Sequence, residues 1–167
     1  AFTMETKFIL AGDAIFTVRR PDGTHSTYRV TKRAATGQYR ETFFVKVLTG
    51  PDNESNYTYL GVLDASAFTL RLTAKSGMKA DAEPVRLLVR VLARVKAGQV
   101  DAIRAAGYDV THAGRCCRCA RLLTTPESTA AGVGPECAEQ LGWAVPKAAR
   151  PTRPVRRPPA APASPAA

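Results

Sequence analysis

Four cysteines carry the strongest chemistry in this 167-residue chain, and all lie between positions 116 and 137. They read as His112-Ala113-Gly114-Arg115-Cys116-Cys117-Arg118-Cys119, followed by Gly132-Val133-Gly134-Pro135-Glu136-Cys137. A Cys-x-x-Cys turn aims two thiolates at one ion, and the amides that follow donate hydrogen bonds to the sulfurs, as in a zinc knuckle. Cys137 offers a third thiolate. It follows Pro135, a residue that favours helix starts, so it should sit in a first helical turn, where free amides and the positive dipole end lower a thiol pKa. His112 is the expected fourth ligand, completing a closed Cys3His tetrahedron around a structural Zn2+; His25, the other histidine, lies in an expected hairpin. Cys117 competes for the fourth place, and a four-Cys site stays open at this point. Buried core cysteines and a redox pair are the blander readings. Confinement of every cysteine to one stretch beside a histidine favours metal over both.

Small elements must hold these ligands. Thr124-x-x-Glu127 has the form of a capping box, with a short helix from Pro126 to Ala131 ended by Gly132. A ligand helix then runs from Pro135 to near Gly142. Such elements bury little, so the ion should supply much of this lobe's stability.

The preceding residues read as a β-rich body. Positions 15–20 and 26–31 flank Pro21-Asp22-Gly23, a turn in which Pro presets φ and Gly accepts positive φ. Positions 42–48 and 57–63 flank a polar turn over 50–56, and Phe68 to Thr73 alternates as a further strand. A helix begins near Asp81 to Pro84 and runs to about Lys96. It carries a buried stripe of Val85, Leu88, Val91, Leu92 and Val95, with Arg86, Arg90 and Arg94 four apart on the other side. Gln99 to Ala106 is a short second helix. The fold class is therefore α+β: an N-terminal antiparallel sheet with one amphipathic helix over 4–107, a small zinc module over 108–143, and a disordered tail over 144–167. Ala1-Phe2-Thr3 reads as a cloning remnant, with Met4 as the natural start.

Charge bears on partners. Lys and Arg outnumber Asp and Glu by 24 to 14, for a formal net charge of +10. The balance is 16 to 11 over 1–110, three to three over 111–143, and five to none over 144–167. Half of the excess is thus in a Pro- and Ala-rich arm unsuited to packing. A basic balance favours polyanions. Arg86, Arg90, Arg94, Arg115, Arg118 and Arg121 are the candidate nucleic-acid contacts, with Tyr28, Phe43, Tyr57 and Tyr59 as candidate stacking residues. No apolar run reaches the roughly 20 residues of a membrane span, and no signal-peptide pattern opens the chain, so a reducing cytoplasm is expected. No phosphate loop occurs, Gly132-x-Gly134 lacks a third glycine, and the sequence reveals no catalytic constellation, so an enzyme is not expected. Nothing in the sequence sets an oligomeric state.

The run Gly114-Arg115-Cys116-x-x-Cys119-x-Arg121-x-Leu123-Thr124-x-Pro126-Glu127-Ser128, then Gly132-x-Gly134-Pro135-x-Cys137-Ala138, resembles a family of uncharacterised zinc-binding proteins of actinobacterial bacteriophages and their hosts. The resemblance covers about 112 to 143 and implies a treble-clef-like zinc module without an established activity. Where that family carries Gly, this chain has Cys117 and Ala120. Two functions follow as expectations. The first is a zinc-containing nucleic-acid-binding accessory protein, acting on single strands in phage DNA metabolism. The second is an interaction protein that docks on a host or phage enzyme and modulates it.

Overall fold

The computed structural model describes residues 4–49 and 56–143. The expected tail over 144–167, the reading of residues 1–3 and most of the 50–56 turn lie outside the described residues. Among those described, the chain forms six strands in one antiparallel sheet: β1 (Asp13–Arg19), β2 (His25–Arg33), β3 (Thr42–Leu48), β4 (Tyr57–Asp64), β5 (Thr69–Arg71) and β6 (Asp109–His112). Five helices accompany it: α1 (Thr6–Ile9), α2 (Glu83–Lys96), α3 (Val100–Ala105), α4 (Pro126–Ala131) and α5 (Pro135–Leu141). The class is α+β, as expected.

Strands β1 to β5 form a meander, and β6 joins the far side of β1, giving the order β5-β4-β3-β2-β1-β6. Period-two alternation divides the sheet into two faces. One carries Ala14, Phe16 and Val18 of β1, Tyr28 and Val30 of β2, and Phe43, Val45 and Val47 of β3, all buried. Helix α2 covers this face with Val85, Leu87, Leu88, Val91, Leu92 and Val95. The Tyr28 hydroxyl donates to the Pro84 carbonyl at 2.6 Å, tying the sheet to the helix start. Burial of its ring pushes the Tyr28 pKa up to about 12. The other face carries half-buried Ile15, Thr17, Arg29, Phe44, Lys46, Leu48, Tyr57 and Tyr59, and no helix of the described residues lies over it.

The β1–β2 turn forms as the sequence implies: the Gly23 amide donates to Arg20 O, and the Asp22 carboxylate accepts from both the amide and the hydroxyl of Thr24. Gly61 is required by close approach, since a Cβ there would stand 2.3 Å from the Arg71 carbonyl oxygen.

Two elements were not expected from the sequence. Helix α1 is a single turn that buries Phe8 and Ile9 in the core, and four residues are too few to display a 3.6 period. Strand β6 pairs Phe16 with His112 and Val18 with Val110. Its only buried residue is Val110, so it offers no alternation to read.

Candidate metal centre

Past β6 the chain follows the β1 edge into a tight turn. Ala113 N–H donates to Ile15 O, and Cys117 O accepts from Asp13 N–H at 2.8 Å. The knuckle is closed by Cys116 N–H to Arg121 O and Leu123 N–H to Gly114 O, each 2.8 Å. Ala120 leaves the turn with φ 61, a left-handed conformation that costs a residue with a Cβ about 1 kcal/mol or more; glycine would adopt it without strain.

The third cysteine comes from the far side of the lobe. Helix α4 is capped by Thr125, whose Oγ1 accepts from Ser128 N–H. The expected capping box of Thr124 and Glu127 is thus replaced by an N-cap on Thr125, because Pro126 rather than Thr125 occupies the first helical position. Gly132 (φ 73) ends α4, its carbonyl accepts from Cys117 N–H at 3.0 Å, and Gly134-Pro135 opens α5 with Cys137 in its first turn. The loop is thereby folded onto the knuckle.

All four cysteines are free thiols. The sulfurs of Cys116, Cys119 and Cys137 lie within 4.8 Å of one another. Ligands bound at about 2.3 Å around a tetrahedral zinc would stand roughly 3.8 Å apart, so a small closure brings the three onto one ion. An all-sulfur set suits a soft or borderline ion rather than magnesium or calcium. Burial disfavours the Cys116 thiolate, but the amides of Gly134, Arg118 and Cys119 donate to its sulfur and outweigh burial, so its pKa falls below the ordinary value. This is the amide-to-sulfur pattern expected of a knuckle.

Cys137 differs from its expectation. Burial raises its pKa to about 11, against the donation from Arg118, and the neighbouring Cys119 and Cys116 thiols add to the rise. One short helix does not offset desolvation beside two other sulfurs; a bound cation would.

Neither candidate for the fourth ligand joins the sulfurs. His112 Nδ1 accepts from Gly114 N–H at 2.9 Å, its Nε2 faces the Thr129 carbonyl, and Phe8 packs with its ring centroid 6.3 Å away. The imidazole thus fastens the end of β6 to α4 rather than joining the thiol cluster. Cys117 points into the core, and burial, reinforced by the charge of Cys116, pushes its pKa up to about 12, so it remains a thiol.

The six arginines are divided among three surfaces. Arg86, Arg90 and Arg94 are exposed on α2, on the helix-covered side of the sheet. Arg94 donates to Gln99 Oε1 at 2.7 Å. Arg115 faces the open side of the sheet and donates to Ala120 O at 3.1 Å. Arg118 and Arg121 line the cleft bordered by the three clustered cysteines, with Arg118 Nη1 3.7 Å from Cys137 Sγ. Of the candidate stacking residues, Tyr28 and Phe43 are core, because their strand positions point under α2. Tyr57 and Tyr59 lie on the open face, joined by Phe44, whose ring centroid is 6.2 Å from that of Tyr59.

A second cleft, of about 700 Å³, lies between the open face and the cysteine lobe. The sheet supplies Ile15, Thr17, Thr27, Arg29, Leu48 and Tyr57, and the lobe supplies Ala113, Arg115, Ala120 and Leu122. Arg29 is held by a two-toothed pair with Asp13, both contacts 2.8 Å. Leu122 is 66% exposed. Sequence reasoning missed this cleft, since pairing of β6 with β1 is what swings the knuckle over the sheet face.

Residues 109–142 match a family of unknown function, DUF6011. That stretch spans β6, the knuckle and both lobe helices. No curated protein and no solved structure matches the chain. Among the described residues, no helix is long and apolar enough to cross a membrane.

Proposed function

We propose that this protein binds single-stranded nucleic acid in the cleft between its open sheet face and a lobe folded around a structural zinc ion. The observation that carries the reading is the cleft itself, where Tyr57 lies on the sheet side and Arg115 and Leu122 stand on the lobe side. A half-buried tyrosine offers a base a stacking surface, and a cation within the same cleft meets the backbone charge. Arg29 is neutralised by Asp13, which leaves Arg115 as the phosphate contact. Zinc is the ion of choice because three thiols from a knuckle and a helix start are its usual donors. Cys116 and Cys119 of the knuckle and Cys137 of α5 would hold it, which would fix the wall that carries Arg115. The protein is a binding accessory rather than an enzyme, since three thiolates leave zinc a weak Lewis acid. In this reading the binding serves phage DNA metabolism in the cytoplasm of a bacterial host.

Fluorescence anisotropy of a labelled oligonucleotide tests the reading. Binding should weaken as salt rises, Tyr57→Ala should weaken it roughly 5- to 150-fold, the range for losing one base stack, and Arg115→Ala should flatten the salt dependence by about 0.7 in the log–log slope. Absence of binding at low salt refutes it.

A specific observation also supports docking on a protein. Between α2 and α3 runs a groove of about 560 Å³ with Leu87, Val91, Ile103 and Tyr108 in its lining and Arg90 and Arg94 beside them. Its charge suits an acidic, amphipathic segment of a host or phage enzyme. Recovery of one stoichiometric partner from lysate after nuclease treatment, lost on Arg90→Glu, would favour this reading over the first.

A further inference from the structure

The three clustered thiols are one donor short of a tetrahedral set. Among the described residues, no His, Asp or Glu joins them. His112 is engaged at both ring nitrogens by backbone groups: Gly114 N–H uses the Nδ1 lone pair, so Nε2 carries the proton it directs at Thr129 O. To ligate, the ring would have to release the contacts that fasten β6 to α4. Cys117 is packed in the core and has its backbone tied at both N–H and C=O.

What does adjoin the three cysteines is a cleft of about 450 Å³, whose walls include Arg118, Arg121, Ser128 and Gln140. Three thiolates and a divalent ion sum to one negative charge. Arg118, whose Nη1 reaches the Cys137 sulfur, and exposed Arg121 together balance that charge and the Glu136 carboxylate of the same lining. An anion entering the cleft therefore meets no net repulsion. We propose that the metal held by Cys116, Cys119 and Cys137 keeps an exchangeable fourth position on this cleft, taken by water or by a small monodentate anion, and that His112 is a structural clamp rather than a ligand. The proposal rests on the metal reading above and extends it: the centre is a ligand-binding site as well as a fastener.

Cobalt(II) replaces zinc in such sites and reports its ligands in the visible spectrum. The full chain loaded with cobalt and titrated with azide should show a saturable shift of the d–d bands. His112→Asn and Glu136→Gln should retain one cobalt per chain and the parent spectrum, Glu136 being the carboxylate beside Cys137 in the cleft lining. Loading with 113Cd supplies a readout that needs no variant to fold: the His112 ring nitrogens should show no coupling to the metal. A spectrum indifferent to azide, a spectrum altered by either variant, or a His112–cadmium coupling overturns the open position while leaving the metal centre intact. Failure to bind cobalt or cadmium at all overturns the metal reading and this inference together.

Discussion

Among single residues, the four cysteines divide into two kinds. Cys116, Cys119 and Cys137 converge on one point, whereas Cys117 is wholly buried and kept protonated by its surroundings. Cys137→Ser should therefore abolish stoichiometric metal binding. Cys117→Ser should retain it but lower the melting temperature, since burying a hydroxyl with poor partners costs about 1–3 kcal/mol; metal analysis and a thermal melt of both variants separate the two roles. Ala120→Gly should raise stability by about 1 kcal/mol, because the left-handed turn leaving the knuckle then carries no Cβ strain; the midpoint of denaturant unfolding of the metal-loaded protein checks it. The knuckle was legible in the sequence because Cys-x-x-Cys spacing is a local geometric statement. The fate of His112 was not, because Gly114 and Thr129 reach its ring only after β6 has joined the sheet and α4 has folded back.

At the level of elements, the sheet and α2 stabilise one another. The helix buries its apolar stripe against strands that bury every second residue, and both periods were readable because each runs for several repeats. Leu88, fully buried beneath the sheet, is the most sensitive position on α2: Leu88→Ala should cost about 2–5 kcal/mol, read as a fall in the urea midpoint. Tyr28 supplies a pH signature. In the unfolded chain its phenol ionises near 10, while in the fold burial holds it neutral up to about 12. The unfolded state therefore loses the proton first, and stability falls as pH rises from 10 towards 12. Tyr28→Phe should remove part of that alkaline loss, measured as a shallower decline of unfolding free energy across the window. The sequence reading groups Tyr28 and Phe43 with Tyr57 and Tyr59 as stacking candidates, since all four are aromatic in strands, yet only the relation of each strand to α2 decides which face is inward, and it puts the first two in the core. Phe44, one residue along from Phe43, reaches the open side beside Tyr59.

Across the molecule, β6 joins the sheet to the cysteine lobe. It makes the cysteine lobe an extension of the β1 edge, with Asp13 N–H bonded to Cys117 O, and it turns Arg115 and Leu122 over the open face. The sequence offers six arginines as nucleic-acid contacts without saying how they sit together; the sheet separates them, placing the α2 ladder on one side and Arg115 on the other. Metal removal should accordingly act on one part more than the rest. Chelation should expose amides of 113–142 to hydrogen exchange while those of β2 and β3, inside the sheet, remain protected, and oligonucleotide binding should fall with the loss of the lobe wall.

The central claim is that one ion held by three cysteine sulfurs gives the C-terminal lobe its shape. Metal content of the reduced, purified chain, determined by native mass spectrometry, tests it most directly: the account predicts one zinc per chain, absent from Cys137→Ser, whereas a metal-free chain whose lobe amides are nonetheless protected would contradict it.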